Sequence, residues 1–424
     1  MERHIMKKLI QWKNSKKKKP LIIKGARQVG KTYIIRQFGK ENYRNVLEIN
    51  FERDLSAREI FQKTHDPKEI YEYFTYFALE ERIDQDTLLF LDEIQACPDA
   101  LTALKFIGED FPCDIICSGS LLGVAISRTS SYPVRYVEVI EMFPLSFIEF
   151  LNALDINETV LRKVFDCVKN CEPIPELLHD KMNEYFSLYM VIGGMPEVVQ
   201  EYIDSQDKKK CLRIQRAIVN DYLADMVKYS DATQAIKIRE CFDSIPLQLA
   251  KENHKFQYKE VEHGGRAQKY FSSIEWLLRA DMVHLSKLVT DVRFDLDDYA
   301  RDDFFRAYTT DLSLLMAMKD FSLKQHIVEN TLAGNSKGGI YEYAITDALY
   351  KKGYQLYFYK NETTKREIDV VIQKDGMVVP IEVKGGNTRA NSLKSLMKNH
   401  KDISYGYKFA DGNIGVGEDG IITL

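Results

Sequence analysis

The amino-acid sequence predicts an α/β protein whose first third forms a mostly parallel sheet. Short apolar runs alternate there with longer stretches of helical periodicity, and this order requires crossover connections between strands. The runs have strand length and few charges, which is typical of strands buried on both faces of a sheet. They occupy residues 21–24, 46–51, 87–91, 114–117 and 136–142.

The middle of the chain has a different pattern. Between residues 143 and 240, apolar pairs recur at three- and four-residue spacing, which predicts amphipathic helices. Gly193 and Gly194 interrupt this pattern and predict a turn, with a new helix beginning at Pro196.

The last part of the chain returns to alternation. Residues 241–295 fit two helices followed by a strand at 283–289, an order typical of a winged helix-turn-helix. Beyond residue 305 the sequence predicts a mixed α/β region. Its elements are a helix over 339–352 and strands over 355–359, 368–373 and 378–383.

Composition excludes several classes of protein. The length of 424 residues is enough for about three domains. A hydrophobic fraction of 45% and a charged fraction of 29% exclude wholesale disorder. The chain carries 59 Lys and Arg against 63 Asp and Glu, a formal net charge of −4. No general basic excess exists to attract nucleic acid, so binding to DNA would need a local patch.

Cysteine usage and hydropathy indicate the compartment. The seven cysteines are scattered and form no C-x-x-C pair. We therefore expect no structural zinc site, and we expect a reducing compartment. No secretory apolar segment follows the charged first residues, and no apolar run is long enough to cross a bilayer. We therefore expect a cytoplasmic protein with no membrane partner.

Residues 25–32 match the phosphate-binding pattern G-x-x-x-x-G-K-[ST], between a predicted strand and a predicted helix. The glycines allow backbone N–H groups and the helix N-terminus to face nucleotide phosphates. Lys31 is expected to reach the β- and γ-phosphates, and the Thr32 hydroxyl to ligate Mg²⁺. The predicted nucleotide-binding residues are Gly25, Ala26, Arg27, Gln28, Val29, Gly30, Lys31 and Thr32.

A second motif follows the apolar strand at 87–91, which ends in Asp92 and Glu93. Asp92 is expected to hold the Mg²⁺ shell, and Glu93 to polarise the attacking water as general base. An ordinary turn is the alternative for such a pair in isolation. In a chain that also carries the phosphate-binding loop, the pair predicts a hydrolysing enzyme.

Polar side chains also follow the strand at 114–117. Ser120, in the turn Ser118-Gly119-Ser120, is expected to contact the γ-phosphate or the water as a sensor, with a plain Ser/Gly turn as the alternative. Arg128 and Arg135 come next in the chain. Either could act as an arginine finger across the interface of a homo-oligomer, and the alternative for each is a solvated surface arginine.

A third constellation lies near the C-terminus. Asp369 is on one predicted strand, and Glu382 and Lys384 are on the same face of the next. Two carboxylates and a lysine at one place can bind Mg²⁺ or Mn²⁺ and position a water beside a phosphodiester. Glu342, on the preceding helix, is a further candidate metal ligand. The alternative is a cross-strand salt bridge in an ordinary sheet.

Together these motifs resemble prokaryotic AAA-type ATPases. The resemblance includes the loop at 25–32, the Asp92-Glu93 pair, the 118–120 turn, the run Phe-Pro-Leu-Ser-Phe at 143–147 and Gly-Gly-Met-Pro-Glu at 193–197. It implies that ATP and Mg²⁺ are the cofactors.

The C-terminal motifs, Glu342, Asp369 and Ile-Glu-Val-Lys at 381–384, are similar to the domain of unknown function that these ATPases carry. Their D-x(12)-E-x-K arrangement resembles the PD-(D/E)xK nuclease superfamily.

The resemblance implies four parts. These are a P-loop AAA+ core of RecA type at 1–150, a helical lid at 151–240, a winged-helix connector at 241–300 and a restriction-endonuclease-like α/β domain at 301–424. The sequence departs from the family in two places. Val134 precedes Arg135 where the family has glycine, which weakens the finger assignment. The stretch Asp311-Leu312-Ser313-Leu314 lacks the family's glycine, which leaves open whether another backbone segment approaches closely there.

The leading hypothesis is therefore an ATP-binding and ATP-hydrolysing AAA+ protein whose nuclease-like domain acts on DNA, with a second Mg²⁺ or Mn²⁺. The alternative is an ATP-gated regulatory module whose nuclease-like domain binds a partner, protein or nucleic acid, without cutting it. A small-molecule kinase is disfavoured by Glu93 and by the long C-terminal half.

Overall fold

The computed structural model describes residues 1–77, 83–126, 133, 135–251, 254–332, 335–361, 363–386 and 388–424. The chain divides into two compact units. The first unit contains residues 2–144 and 275–282, and the second contains residue 1, residues 145–274 and residues 283–424.

The first unit is built on a parallel sheet in the order β2-β3-β4-β1-β5. All five predicted strands are present, each within a few residues of its predicted bounds, and the predicted parallel α/β class is confirmed. The strands are β1 (Leu21–Lys24), β2 (Asn45–Asn50), β3 (Thr87–Asp92), β4 (Asp114–Gly119) and β5 (Glu138–Glu141). Because β4 lies between β1 and β3, the residues that follow these three strands meet at one edge.

Helices connect these strands and cover the sheet. Phe106 of α5 is exposed, but the other apolar side chains that recur at helical spacing are buried, among them Leu101, Leu104 and Ile107. They pack with β3 and β4 residues in one hydrophobic core. The helices are α1 (Ile5–Lys13), α2 (Lys31–Asn42), α3 (Leu55–Lys63), α4 (Pro67–Phe77), α5 (Pro98–Asp110) and α6 (Leu122–Ile126).

The second unit begins with helices, as the spacing of residues 143–240 predicts. Ser146 starts the first of them with a capping box, in which its hydroxyl accepts the Glu149 N–H and the Glu149 carboxylate accepts the Ser146 N–H. The predicted helix start at Pro196 is also observed. The helices are α7 (Phe147–Ala153), α8 (Glu158–Asn170), α9 (Glu176–Ile192), α10 (Pro196–Ser205), α11 (Lys208–Lys228), α12 (Ala232–Leu249), α13 (Ala267–Arg279, with residues assigned to both units), α14 (Leu312–Ala317), α15 (Phe321–Val328), α16 (Asn335–Lys351) and α17 (Asn391–Asn399).

An eight-stranded mixed sheet completes the second unit, in the order β12-β13-β11-β10-β9-β8-β6-β7. Apolar side chains cover both of its faces, one cluster around Val371 and Leu393 and another around Val370 and Ile381. The strands are β6 (Val283–Val289), β7 (Ala300–Thr309), β8 (Leu356–Lys360), β9 (Glu367–Lys374), β10 (Met377–Val383), β11 (Gly406–Phe409), β12 (Gly415–Val416) and β13 (Ile421–Thr423). The C-terminal mixed α/β region is thus present.

The region predicted as a winged-helix connector is arranged differently from an isolated hairpin. β6 and β7 pair antiparallel, but β6 also pairs in parallel with β8, so both strands belong to the large sheet. The sequence predicts two helices within residues 241–295, but residues 247–249 are the end of the long helix α12 and do not start a separate helix. The division of the chain into four parts remains a prediction.

Two further findings concern the cysteines and the helices. The seven cysteines, all within the described residues, form no disulfide. Among the described helices, none combines the length and the apolar character needed to cross a membrane.

The turn before α10 is the site of a close backbone approach. The Gly194 N–H donates to both Asp311 carboxylate oxygens, at 2.9 and 3.0 Å. A Cβ on Gly193 would lie 2.4 Å from Asp311 Oδ1 and 2.5 Å from the Ser313 nitrogen. The approach therefore exists without a glycine in residues 311–314, because the glycines are on the opposing segment. Lys351 also pairs with Asp311, at 2.8 Å, and neutralises its buried charge.

We expect Gly193→Ala to lower the free energy of unfolding by more than Gly353→Ala. Both glycines have a positive φ, +76° and +85°, which other residues rarely adopt, and Gly193 combines it with a ψ of −166°, a region that is essentially restricted to glycine. Only Gly193 adds a steric clash, since nothing lies within 4 Å of a Cβ on Gly353. Urea denaturation of both variants measures the difference. Equal destabilisation would contradict the close approach to Asp311.

Candidate functional site

The carboxyl edge of the parallel sheet brings three predicted motifs together. The 25–32 loop follows β1, Asp92 and Glu93 end and follow β3, and Ser118 to Ser120 end and follow β4. In open parallel sheets, ligands bind outside the carboxyl ends of the strands. This edge is therefore the candidate nucleotide site.

The loop backbone has the conformation that its glycines allow. Gly25 and Gly30 have φ values of +152° and +94°, and Gln28 also has a positive φ. A Cβ on Gly25 would lie 2.1 Å from the Met142 carbonyl oxygen, so no larger residue fits there. Gly30 immediately precedes α2, so the helix N-terminus and its unpaired N–H groups are part of the loop.

Lys31 is buried at the first position of α2. Its ammonium donates to the carbonyl oxygens of Gly25 and Ala26, at 2.9 and 2.7 Å. Burial lowers the pKa of Lys31 to about 8, while the nearby carboxylates of Glu93, Asp281 and Asp92 oppose that shift. The ammonium is thus held by neutral carbonyls inside the loop.

Asp92 lies at the centre of the site and is almost completely buried. Its carboxylate accepts the Thr32 hydroxyl at 3.3 Å, the Asn50 side-chain amide at 3.1 Å and the Ser118 hydroxyl. These donors orient the carboxylate toward the start of α2.

Glu93 follows Asp92 in a left-handed backbone conformation, with φ of +53°. Its carboxylate accepts the Gln95 side-chain amide, and the Ser120 hydroxyl lies 3.5 Å from the same oxygen. Burial raises the pKa of Glu93, and the hydrogen bond from Gln95 opposes the rise. Glu93 therefore contacts neutral donors at close range, which suits a group that must accept a proton.

The site has the donor set that a Mg²⁺ ion requires. The Thr32 hydroxyl and the Asp92 carboxylate converge, and both are hard oxygen ligands. In nucleotide sites Mg²⁺ takes only one or two protein ligands and completes its shell with phosphate and water. This agrees with the described residues, which contain no group of three acidic, His or Cys side chains placed to bind a metal alone.

Of the two predicted arginine fingers, Arg135 is not at this edge. Arg135 is exposed in a turn before β5, and hence near the amino edge of the sheet. From there it does not serve the site of its own chain. Arg128 lies outside the described residues.

Sequence reasoning missed three residues of this site. Asn50 ends β2 and binds Asp92, Gln95 binds Glu93, and Asp281 places its charge near Lys31. Asn50 could have been found as a polar residue at the carboxyl end of a predicted strand. Gln95 and Asp281 carry no sequence pattern.

The C-terminal motif residues surround a cavity of about 790 Å³ in the second unit. The antiparallel register pairs Ile381 with Val370, so Glu382 and Asp369 come at the next positions of β10 and β9. Asp369 Oδ2 accepts the Val383 N–H at 2.7 Å. Glu382 binds Lys384 at 2.6 Å and accepts the Leu393 N–H in the first turn of α17, at 3.0 Å.

Glu342, on α16, lines the same cavity and is strongly bound by neighbouring side chains. Its carboxylate accepts the Arg306 guanidinium at 2.7 Å, the Tyr308 hydroxyl at 2.6 Å and His254 Nδ1 at 2.7 Å. Burial by itself raises the pKa of Glu342, but Arg306 and His254 together hold it at about 2. Burial and the Glu342 charge raise the pKa of Asp369 to about 6.

The residues of the cavity do not fit a divalent ion well. Arg306, His254 and Lys384 already pair with the carboxylates, and the described residues contain no group of three side chains placed to bind a metal. These contacts therefore disfavour a metal-dependent reaction in this cavity. Arg306, Tyr308 and His254 were missed in the sequence because no motif contains them.

We expect ATP to bind more weakly as the pH rises through 8. Lys31 must be charged to attract the phosphates, and its pKa of about 8 means that the ammonium loses its proton in this range. The dissociation constant should rise roughly tenfold between pH 7.5 and 9 if only the charged form binds. Isothermal titration calorimetry with Mg²⁺ and ATP measures it, and circular dichroism at both pH values controls for unfolding. An unchanged affinity would show that Lys31 keeps its proton.

Three family models match the chain. Residues 17–151 match an AAA domain, residues 183–325 match a domain of unknown function (DUF8612), and residues 337–423 match a second domain of unknown function (DUF4143). Comparison with curated proteins gives no match.

Comparison with solved structures gives several matches. A Walker-type ATPase of Pyrococcus abyssi is 14% identical, with a TM-score of 0.45, and the match covers 75% of this chain and 95% of that one. The ORC1 protein of Aeropyrum pernix in complex with DNA is 12% identical, with a TM-score of 0.29, over 78% and 95% of the two chains. Cdc6p of Pyrobaculum aerophilum is 14% identical, with a TM-score of 0.26, over 78% and 96%. These similarities are too low to inform the function.

The family match covers the sheet whose carboxyl edge carries the phosphate-binding loop, Asp92 and Glu93. The parallel sheet, this loop and the family model agree over residues 17–151, which match the model of an AAA domain.

Proposed function

We propose that this protein binds ATP with Mg²⁺ and hydrolyses it at the carboxyl edge of the parallel sheet. The observation that carries the proposal is the convergence of Lys31, Asp92 and Glu93, each buried or half-buried, around one phosphate-binding loop. The carboxylate directly after Asp92 favours hydrolysis over phosphoryl transfer to a small molecule.

The residues have distinct roles in this proposal. When ATP binds, the Lys31 ammonium leaves the loop carbonyls and binds oxygens of the β- and γ-phosphates. Thr32 and Asp92 would hold the Mg²⁺, which would neutralise phosphate charge. Glu93 accepts a proton from the water that attacks the γ-phosphorus, as the bond to the β–γ bridging oxygen breaks and ADP leaves. Gln95 and Ser120 orient the Glu93 carboxylate.

We expect Lys31→Ala to lose ATP binding, and Glu93→Gln to bind ATP while hydrolysing it about 10²–10⁴ times more slowly, since only the proton acceptor is removed. Phosphate release measures turnover, and calorimetry measures binding. Glu109→Gln, an exposed residue at the end of α5, is the matched control and should keep full activity. Normal hydrolysis by Glu93→Gln would show that another group is the base.

We further propose that the C-terminal cavity acts on DNA by binding its backbone. Six Lys and Arg side chains line the cavity against four carboxylates, an excess of positive charge that suits phosphodiesters. The proposal includes gating by ATP, so that nucleotide and DNA affect each other's affinity reciprocally. Because Arg135 is remote from its own nucleotide site, a finger role for it would require a homo-oligomer.

We expect ATP to change the affinity of Glu93→Gln for DNA several-fold, and to leave that of Lys31→Ala unchanged. Glu93→Gln retains ATP without turnover, whereas Lys31→Ala cannot bind it. Fluorescence anisotropy of labelled DNA with and without ATP measures the coupling. Identical affinities in Glu93→Gln with and without ATP would contradict gating.

The second candidate is metal-dependent cleavage of DNA. It is favoured by the presence of Glu342, Asp369, Glu382 and Lys384 around one cavity. Cleavage with Mn²⁺ that disappears in both Asp369→Ala and Lys384→Ala would establish it. Cleavage that survives in both variants would belong to a contaminant or to another site.

A further inference from the structure

Arg306 is the central cation of the C-terminal cavity. It is on β7, its side chain is 1% exposed, and it lines the cavity. Nη1 donates to Glu342 at 2.7 Å and to the Asp369 carbonyl oxygen at 3.1 Å, and Nη2 donates to Glu367. One guanidinium thus joins a helix carboxylate to two residues of β9.

This arrangement occupies the oxygens that a divalent ion would need. Glu342 Oε1 accepts both Arg306 and Tyr308, and Oε2 accepts His254. A carboxylate oxygen has two lone pairs, so Oε1 has no capacity left. A metal at Oε1 would have to displace Arg306 or Tyr308, and a metal at either oxygen of Glu342 would lie beside the positive guanidinium and be repelled by it.

The other two acidic residues are engaged as well. Glu382 holds Lys384 through one oxygen and the N-terminal turn of α17 through the other. Asp369 holds β10 through the Val383 N–H. Each carboxylate therefore stabilises the fold around the cavity through contacts with which a metal ion would have to compete.

The groups left to meet a ligand are cationic. Lys365 and Arg366 are exposed at the rim, and Lys384 is 29% exposed. Within the described residues, Arg306 Nε is buried and has no hydrogen-bond partner. Arg306 therefore lies beneath the surface, and the exposed basic rim matches an anion such as a phosphodiester.

We propose that Arg306 takes the place of a metal ion by neutralising the carboxylates of Glu342 and Glu367, so that this cavity binds the phosphodiester backbone of DNA at its basic rim, without a divalent ion and without cutting it. The inference rests on the proposed binding of DNA and decides against the cleavage candidate. It also assigns Lys365 and Arg366 as binding residues, and Arg306 as a positioning residue that does not touch DNA.

The test uses the full chain, a fluorescein-labelled duplex and fluorescence anisotropy, in EDTA and in Mn²⁺, with gel analysis of the same samples. We expect wild-type affinity to differ less than about twofold between the two conditions, with no cleavage product. Lys365→Glu combined with Arg366→Glu should weaken binding at least tenfold and lower the salt slope by about two. Lys163→Glu combined with Lys169→Glu, on the exposed face of α8, is the matched control.

A metal count tests Arg306 directly. In an Asp92→Asn background, which removes the nucleotide-site ligand, we expect no Mn²⁺ bound to the otherwise wild-type chain by electron paramagnetic resonance. Arg306→Met should gain one Mn²⁺, because Glu342 and Glu367 lose their cation. The first measurement stands even where Arg306→Met fails to fold.

The outcomes separate the inference from the function on which it rests. DNA binding that requires Mn²⁺, cleavage that disappears in Asp369→Asn, or Mn²⁺ bound in the Asp92→Asn background would overturn the inference and leave DNA as the ligand. Absence of DNA binding in both EDTA and Mn²⁺ would overturn the proposed DNA function itself. ATP hydrolysis, measured separately, is affected by neither result.

Discussion

A charge that is removed from water needs a specific partner that hydrogen-bonds to it or carries the opposite charge, because an unpartnered buried ion is very costly in free energy. Both candidate sites of this protein are built around that constraint. Lys31 is held by loop carbonyls, and Arg306 by Glu342 and Glu367. Lys351 meets the same requirement with Asp311 and Asp347, and through Asp311 it anchors the glycine turn before α10.

The kind of partner separates the two sites chemically. Around the phosphate-binding loop, the closest partners of Lys31, Asp92 and Glu93 are neutral carbonyl, hydroxyl and amide groups. A nucleotide and its ion can replace such partners without leaving a buried charge behind. In the C-terminal cavity Glu342, Glu367 and Glu382 are paired with Arg306 or Lys384, and exchange of those partners is costly. In our proposals, similar residue types therefore serve catalysis at one site and binding at the other.

The sequence was informative where function depends on local order. A strand, a glycine loop and a helix in succession place Lys31 and Thr32, and the position of Asp92 at the end of β3 follows from strand length. Asn50 was missed because its contact with Asp92 joins segments that are separated in the chain. Gln95 was missed because the chain bends back after β3 to bring its side chain to Glu93. Arg306 was missed for the same reason, since it is 36 residues from Glu342 and 61 from Glu367. The close approach at Asp311 depends on glycines more than a hundred residues away, at 193 and 194.

By itself, the sequence determined the parallel α/β class, the phosphate-binding loop and the alignment of Glu382 with Lys384, because each follows from the repeat of a helix or a strand within one short segment. The tertiary structure decided which groups neutralise the predicted carboxylates. That outcome depends on distant strands meeting in one sheet and on the exclusion of water between them, and neither is encoded in a local pattern. In a water-filled cleft the same carboxylates could remain charged without a partner. When they are buried beside Arg306 they must be paired, because an unpaired buried charge is costly in free energy.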